Sequence, residues 1–137
     1  MKQGLNIFIC HFNSKYRQYL HTTLGNHKDT IEIIGACEEY PCCLEWLEKD
    51  VSKLTDCVLI GLPNRVNNPK QIVKELTSQY PYVKFITMSP FEIEHLAELY
   101  INAGANHHFD SSKTTQDLIN YILDYNDKGK EANSIRR

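Results

Sequence analysis

Apolar runs recur along this chain at a nearly constant spacing, and no other feature limits its possible folds as strongly. The runs begin at Leu5, Ile31, Cys57, Val83 and His107, so successive starts lie 26, 26, 26 and 24 residues apart. They extend over Leu5–Cys10, Ile31–Cys37, Cys57–Leu62, Val83–Met88 and the shorter His107–Phe109. Ile7-Phe8-Ile9-Cys10 and Val58-Leu59-Ile60 are apolar at nearly every position. A strand reads this way when helices cover both faces of its sheet, the usual condition of a parallel sheet.

Between these runs the apolar residues fall at helical spacing. Tyr16, Tyr19, Leu20 and Leu24 share a face, as do Leu44, Leu47, Val51 and Leu54. A third stretch carries Ile72, Val73, Leu76 and Tyr80 and opens at Pro69, a favourable first-turn residue. A fourth carries Ile93, Leu96, Ala97, Tyr100 and Ala103 and stops at Gly104. The fifth carries Leu118, Ile119, Ile122 and Leu123, with Thr114 or Thr115 as its cap. Strand–helix alternation with short connections implies right-handed crossovers. The expected fold is therefore α/β: a three-layer αβα, flavodoxin-like, doubly wound sheet of five parallel strands in the order 2-1-3-4-5. A closed barrel needs about eight such units, more than 137 residues supply. Residues 1–125 form one domain, and the polar stretch 126–137 reads as a tail or linker.

Charge and cysteine content narrow the function classes. Fifteen Lys and Arg against seventeen Asp and Glu leave a net charge of −2, so direct nucleic-acid binding by this chain is not expected. No apolar run approaches the ~18 residues of a membrane span, and Leu5–Cys10 is too short for a signal-peptide core. A cytoplasmic location is expected. Cysteines fall at 10, 37, 42, 43 and 57, an odd number without a CxxC pair. They read as free thiols in a reducing compartment, and zinc binding through Cys37, Cys42 or Cys43 has no spacing signature.

Ligands of such folds bind at the carboxyl ends of the strands. The segments there are Cys10-His11-Phe12-Asn13, Leu62-Pro63-Asn64, Thr87-Met88-Ser89 and His108-Phe109-Asp110-Ser111. His11-Phe12-Asn13-Ser14-Lys15 lacks the glycines of a phosphate-wrapping loop. Asn13, Ser14 and the helix N-terminus could still hold a flavin phosphate, which keeps a small-ligand-binding protein of the flavodoxin type as an alternative.

From about Leu5 to Tyr125 the chain resembles the receiver domain of two-component response regulators. It is most similar to the receivers that precede a LuxR-type helix-turn-helix domain. The likeness rests on Asp56-Cys57-Val58-Leu59-Ile60-Gly61-Leu62-Pro63 as the third strand and its loop, Lys84-Phe85-Ile86-Thr87-Met88-Ser89 as the fourth, and Ala103-Gly104-Ala105-Asn106-His107-His108-Phe109 leading into the fifth. The resemblance implies a phosphoacceptor Asp, an acidic pair for Mg²⁺, a hydroxyl residue and a Lys. Here the acceptor position falls on Gly61, the acidic pair on His11 and Phe12, and the Lys on Ser111; Thr87 alone is retained. The aromatic switch position falls on His108. Asp56 lies at the opposite end of its strand, about 16 Å away at strand rise.

The reading that follows is a degenerate receiver, a pseudo-receiver without enzymatic activity, without Mg²⁺ and without any other cofactor. It would act by contact with a protein partner or as a homodimer through the fourth and fifth helices, using Tyr100, His108, Tyr121 and Tyr125. It could be the input domain of a transcriptional regulator with a DNA-binding domain beyond residue 137. A receiver using a non-standard acceptor is a further alternative. His11 and His108 could face the vacated pocket together and bind a transition metal or sense pH, or they could simply fill space.

Overall fold

Alternate residues of the central strands pack on opposite sides of one sheet. The computed structural model describes residues 4–52, 54–63, 68–89, 95–110 and 113–124. Its strands are β1 (Leu5–His11), β2 (Ile31–Cys37), β3 (Cys57–Gly61), β4 (Lys84–Ser89) and β5 (His107–Asp110). They pair in parallel in the order β2-β1-β3-β4-β5, as the period predicts. Helices α1 (Ser14–Gly25), α2 (Tyr40–Lys49), α3 (Pro69–Gln79) and α4 (Leu96–Asn102) lie between them. A fifth helix, α5, covers residues 115–124. Three strands extend one residue beyond their apolar runs, taking in His11, Ser89 and Asp110. All three are buried, and their polar identity hid them from an apolar count.

Ile7, Ile9, Leu59, Ile86 and Phe109 face Leu20, Leu24, Leu118, Ile119 and Ile122 on one side of the sheet. Phe8, Cys10, Val58, Ile60 and Phe85 face Leu47, Ile72, Val73, Leu76 and Tyr100 on the other. Each such aliphatic side chain contributes about 1.5–3 kcal/mol by burial. The fold is thus three-layered, with both faces of the sheet covered.

Local chemistry sets the helix ends. The Asn13 side chain accepts the Tyr16 N–H and starts α1. Thr114 Oγ1 accepts the Asp117 N–H while Asp117 Oδ2 accepts the Thr114 N–H, a reciprocal cap before α5. Gly104 has φ +120°, and a Cβ there would press on the Thr77 side chain, which donates to the Ala103 carbonyl.

Three expectations are corrected. The face Leu44, Leu47, Val51 and Leu54 does not persist: α2 stops at Lys49, burying Cys43 and Leu47, while Val51 and Leu54 are exposed. The Asp50 carboxylate accepts the Leu54 and Thr55 N–H groups and turns the chain out of the helix. The cysteines are not all free. Cys37 and Cys42 form a disulfide, and Cys10, Cys43 and Cys57 are buried thiols. The short β2–α2 connection brings the last residue of β2 and the first turn of α2 together, with a Cα–Cα distance of 6.3 Å. Tyr19, expected on the packed face of α1, is 48% exposed. Ile93, Ser111 and Tyr125, and the tail 126–137, lie outside the described residues. Among the described residues no helix is long and apolar enough to cross a membrane.

Candidate functional site

At the carboxyl edge, register pairs His11 with Gly61 across β1 and β3. It also pairs Thr87 with His108 and Ser89 with Asp110 across β4 and β5. These two pairs of strands carry the polar residues of the edge.

On the β1/β3 side the His11 imidazole lies across Gly61. A Cβ built on Gly61 would sit 2.6 Å from Nε2 and 2.9 Å from Cγ of that ring. Only glycine fits beneath it. The ring is buried, stacked on Phe12 at 4.9 Å between centroids and tilted against Tyr16 at the same distance. Its Nδ1 accepts the Asn13 N–H at 3.0 Å, so the proton of the neutral ring resides on Nε2. Burial, and then the Arg17 guanidinium, lower its pKa to about 4. Arg17 also donates to the His11 carbonyl at 2.6 Å, fixing the strand end to α1.

The receiver likeness implies Mg²⁺ at this edge, and His11, Phe12 and Gly61, the positions it assigns to the metal pair and the acceptor, do not fit it. Mg²⁺ takes hard oxygen ligands in octahedral array. A neutral imidazole, a phenyl ring and a glycine supply no carboxylate. Asp56 is engaged at the amino end of β3, where its Oδ2 accepts the Asn6 N–H at 2.8 Å. Among the described residues no cluster of three His, Cys, Asp or Glu side chains is arranged to hold a metal ion.

The β4/β5 side is organised differently. His108 is buried, with Nδ1 2.7 Å from Thr87 Oγ1 and Nε2 3.1 Å from Ser89 Oγ. Burial lowers its pKa against the opposing pull of Asp110, while His107 and Lys113 push it lower still. Tyr100 of α4 packs against the ring at 5.5 Å and is itself buried. His107 stacks on Tyr121 of α5 at 3.8 Å, and the Tyr121 hydroxyl donates to the Asn106 carbonyl at 3.3 Å. Ser89 follows Thr87 by one strand period, so alternation alone carried the signal that it belongs here.

His11 and His108 therefore sit in separate arrangements, on different strand pairs, each with its own partners. Of the residues expected on an interaction face, Tyr100 and His108 are interior and Tyr121 is partly exposed. Ile101, not singled out from the sequence, is an exposed large apolar residue of α4, at 43%. A cavity of about 210 Å³ borders the acceptor position, lined by Glu38, Glu39, Tyr40, Pro41, Gly61, Leu62 and Pro63.

These features define a doubly wound α/β protein whose cleft lies at the carboxyl edge, beside the point where the strand order reverses. Solved structures place it more narrowly. The signal receiver domain of the response regulator NarL from Mycobacterium tuberculosis superposes with a TM-score of 0.75 at 13% identity, covering 90% of this chain and 96% of that one. A LuxR-family DNA-binding response regulator from Staphylococcus aureus matches at 0.71 and 14%, covering 87% and 98%. The isolated receiver domain of RcsB from Salmonella enterica, solved with a phosphomimetic, matches at 0.72 and 11%, covering 85% and 84%. The chain has the fold of response regulator receiver domains. No protein-family model matches it, and no curated protein matches it in sequence.

Proposed function

We propose that this chain is a signalling module of the receiver type that works through protein contacts and receives no phosphoryl group on an aspartate. One observation carries this reading: the imidazole of His11 occupies the space above Gly61 where an acceptor side chain would stand. The adjoining cavity is lined by Glu38 and Glu39 beside Gly61. At about 210 Å³ it is also smaller than the range of roughly 300–1,000 Å³ common for small-molecule sites, which disfavours a flavin.

The output follows by analogy. The Staphylococcus aureus protein is described as DNA-binding, and RcsB was solved bound to a promoter. Another similar structure is a response regulator with a GGDEF domain, half of whose length this chain spans. The same fold serves both outputs, so its own contribution is what the two have in common. On this reading the module presents α4, β5 and α5 to a second copy or to another protein in the cytoplasm. Incubation with acetyl phosphate and Mg²⁺, read by intact mass, tests the proposal. The mass is expected to stay unchanged; a phosphoryl adduct stable at any Asp overturns the reading.

A further inference from the structure

We propose that Cys37 and Cys42 form a reversible thiol–disulfide switch that clamps and releases the wall of the cleft beside Gly61. The choice of what is regulated rests on the reading of that cleft as lacking a phosphoacceptor; the switch chemistry does not.

Position is the first argument. The disulfide joins the last residue of β2 to the first turn of α2 and so brackets Glu38, Glu39, Tyr40 and Pro41. All four line the cavity that also contains Gly61. The cross-link therefore closes a loop that is itself one wall of the candidate site. Glu39, the N-cap of α2, makes no side-chain cap hydrogen bond; beside the disulfide, the loop is held by Tyr40 packing on the core and by the Glu39 carbonyl, which accepts the Cys42 and Cys43 N–H groups.

Selectivity is the second argument. Cys37 and Cys42 are partly exposed, whereas Cys10, Cys43 and Cys57 are buried. Cys10 lies in the core cluster that holds Cys43, and its hydrogen bond to Cys43, together with burial, pushes its thiol well above the usual range. Burial and the nearby Asp56 push Cys57 up to about 12. Thiols held protonated in an apolar core neither attack nor ionise at neutral pH. Exchange is thereby confined to one pair. The Glu39 carbonyl oxygen lies 3.5 Å from Cys37 Sγ, placed to accept its S–H once the pair is reduced.

The co-reactant is a dithiol. Its thiolate attacks one sulfur of the pair, forming a mixed disulfide and expelling the other cysteine as a thiolate that takes up a proton. The second thiol of the reductant then displaces the mixed disulfide. Two electrons and two protons pass to the protein, and the dithiol leaves as its own disulfide. In a reducing compartment a partly exposed disulfide is a sensor rather than a staple.

The experiment uses the full chain, equilibrated with glutathione disulfide or with dithiothreitol, alkylated without denaturant and mapped by mass spectrometry. The oxidised chain should take no alkyl group; the reduced chain should take one at Cys37 and one at Cys42. Hydrogen exchange over residues 38–42 and 61–63 should accelerate about tenfold on reduction, with the sheet interior unchanged. The variant C37S/C42S should show the fast exchange under both conditions. Alkylation at Cys10, Cys43 or Cys57 instead, a chain that never loses its two thiol hydrogens under oxidant, or equal exchange in both states overturns the switch. None of these outcomes alters the acetyl phosphate result, so the two proposals fail separately.

Discussion

The two halves of the carboxyl edge are built in opposite ways. Across β1 and β3, His11, Phe12 and Gly61 fill the place where the fold's relatives are expected to hold a metal and an acceptor. Across β4 and β5, Thr87, Ser89 and His108 form a closed hydrogen-bonded set against Tyr100. On the proposed reading, one half lacks the chemistry of input, while the other holds a hydroxyl against the His108 ring. Thr87 already has a partner across β4 and β5 in His108, at 2.7 Å, so on the proposed reading it needs no phosphoryl group. In a two-state element, a permanent partner of this kind favours one state without any ligand.

The strongest way to break the comparison is to put a carboxylate back. Gly61→Asp places side-chain atoms inside the His11 ring and adds a charge beside a desolvated imidazole. Overpacking and charge burial together should destabilise the chain by about 3 kcal/mol or more in urea unfolding. The double variant His11→Gly/Gly61→Asp should recover most of that loss, and a double-mutant cycle without coupling would separate the two residues.

The next effect is pH dependence. His11 titrates near 4 when folded against about 6.5 when unfolded, so the unfolded state binds the extra proton first as pH falls. Stability should therefore be fully present above pH 6.5 and decline through the window down to pH 4. The decline attributable to His11 is about 3 kcal/mol. His108 is shifted in the same direction and adds to it. Urea midpoints at pH 7, 5.5 and 4 measure the slope, and His11→Phe should flatten it. A slope unchanged by that substitution would assign the titration elsewhere.

The smallest effect sharpens the other half of the comparison. Thr87→Val keeps the shape but leaves a buried His108 nitrogen without its hydroxyl, at a cost of about 1–3 kcal/mol. The cavity beside Gly61 should be untouched, visible as unchanged hydrogen exchange over residues 61–63. Coupled changes there would join the two halves into one unit.

Much of the fold was legible in advance, and the reason is local. A spacing of 26 residues holds one strand, one helix and two short connections, and unbroken apolar runs require a sheet covered on both faces. That the position the receiver resemblance assigns to the acceptor falls on Gly61 was equally legible, because an absent side chain needs no structure to be noticed. The α2 boundary was not, since Asp50 ends the helix by accepting N–H groups that lie beyond it in the chain. The Cys37–Cys42 pair was not either, because its spacing carries no signature and only the tight β2–α2 connection brings the sulfurs together.

By itself, the order of residues determined that this chain builds five parallel strands between helices and that the third of them ends at Gly61. Both depend on periodicity and residue type, which act along the chain. Tertiary structure alone decided what lies over Gly61, which ring nitrogen is left to carry the proton, and which cysteines meet. Those outcomes depend on strand register and crossover geometry, which bring His11 onto Gly61 and His108 between two hydroxyls from distant parts of the chain.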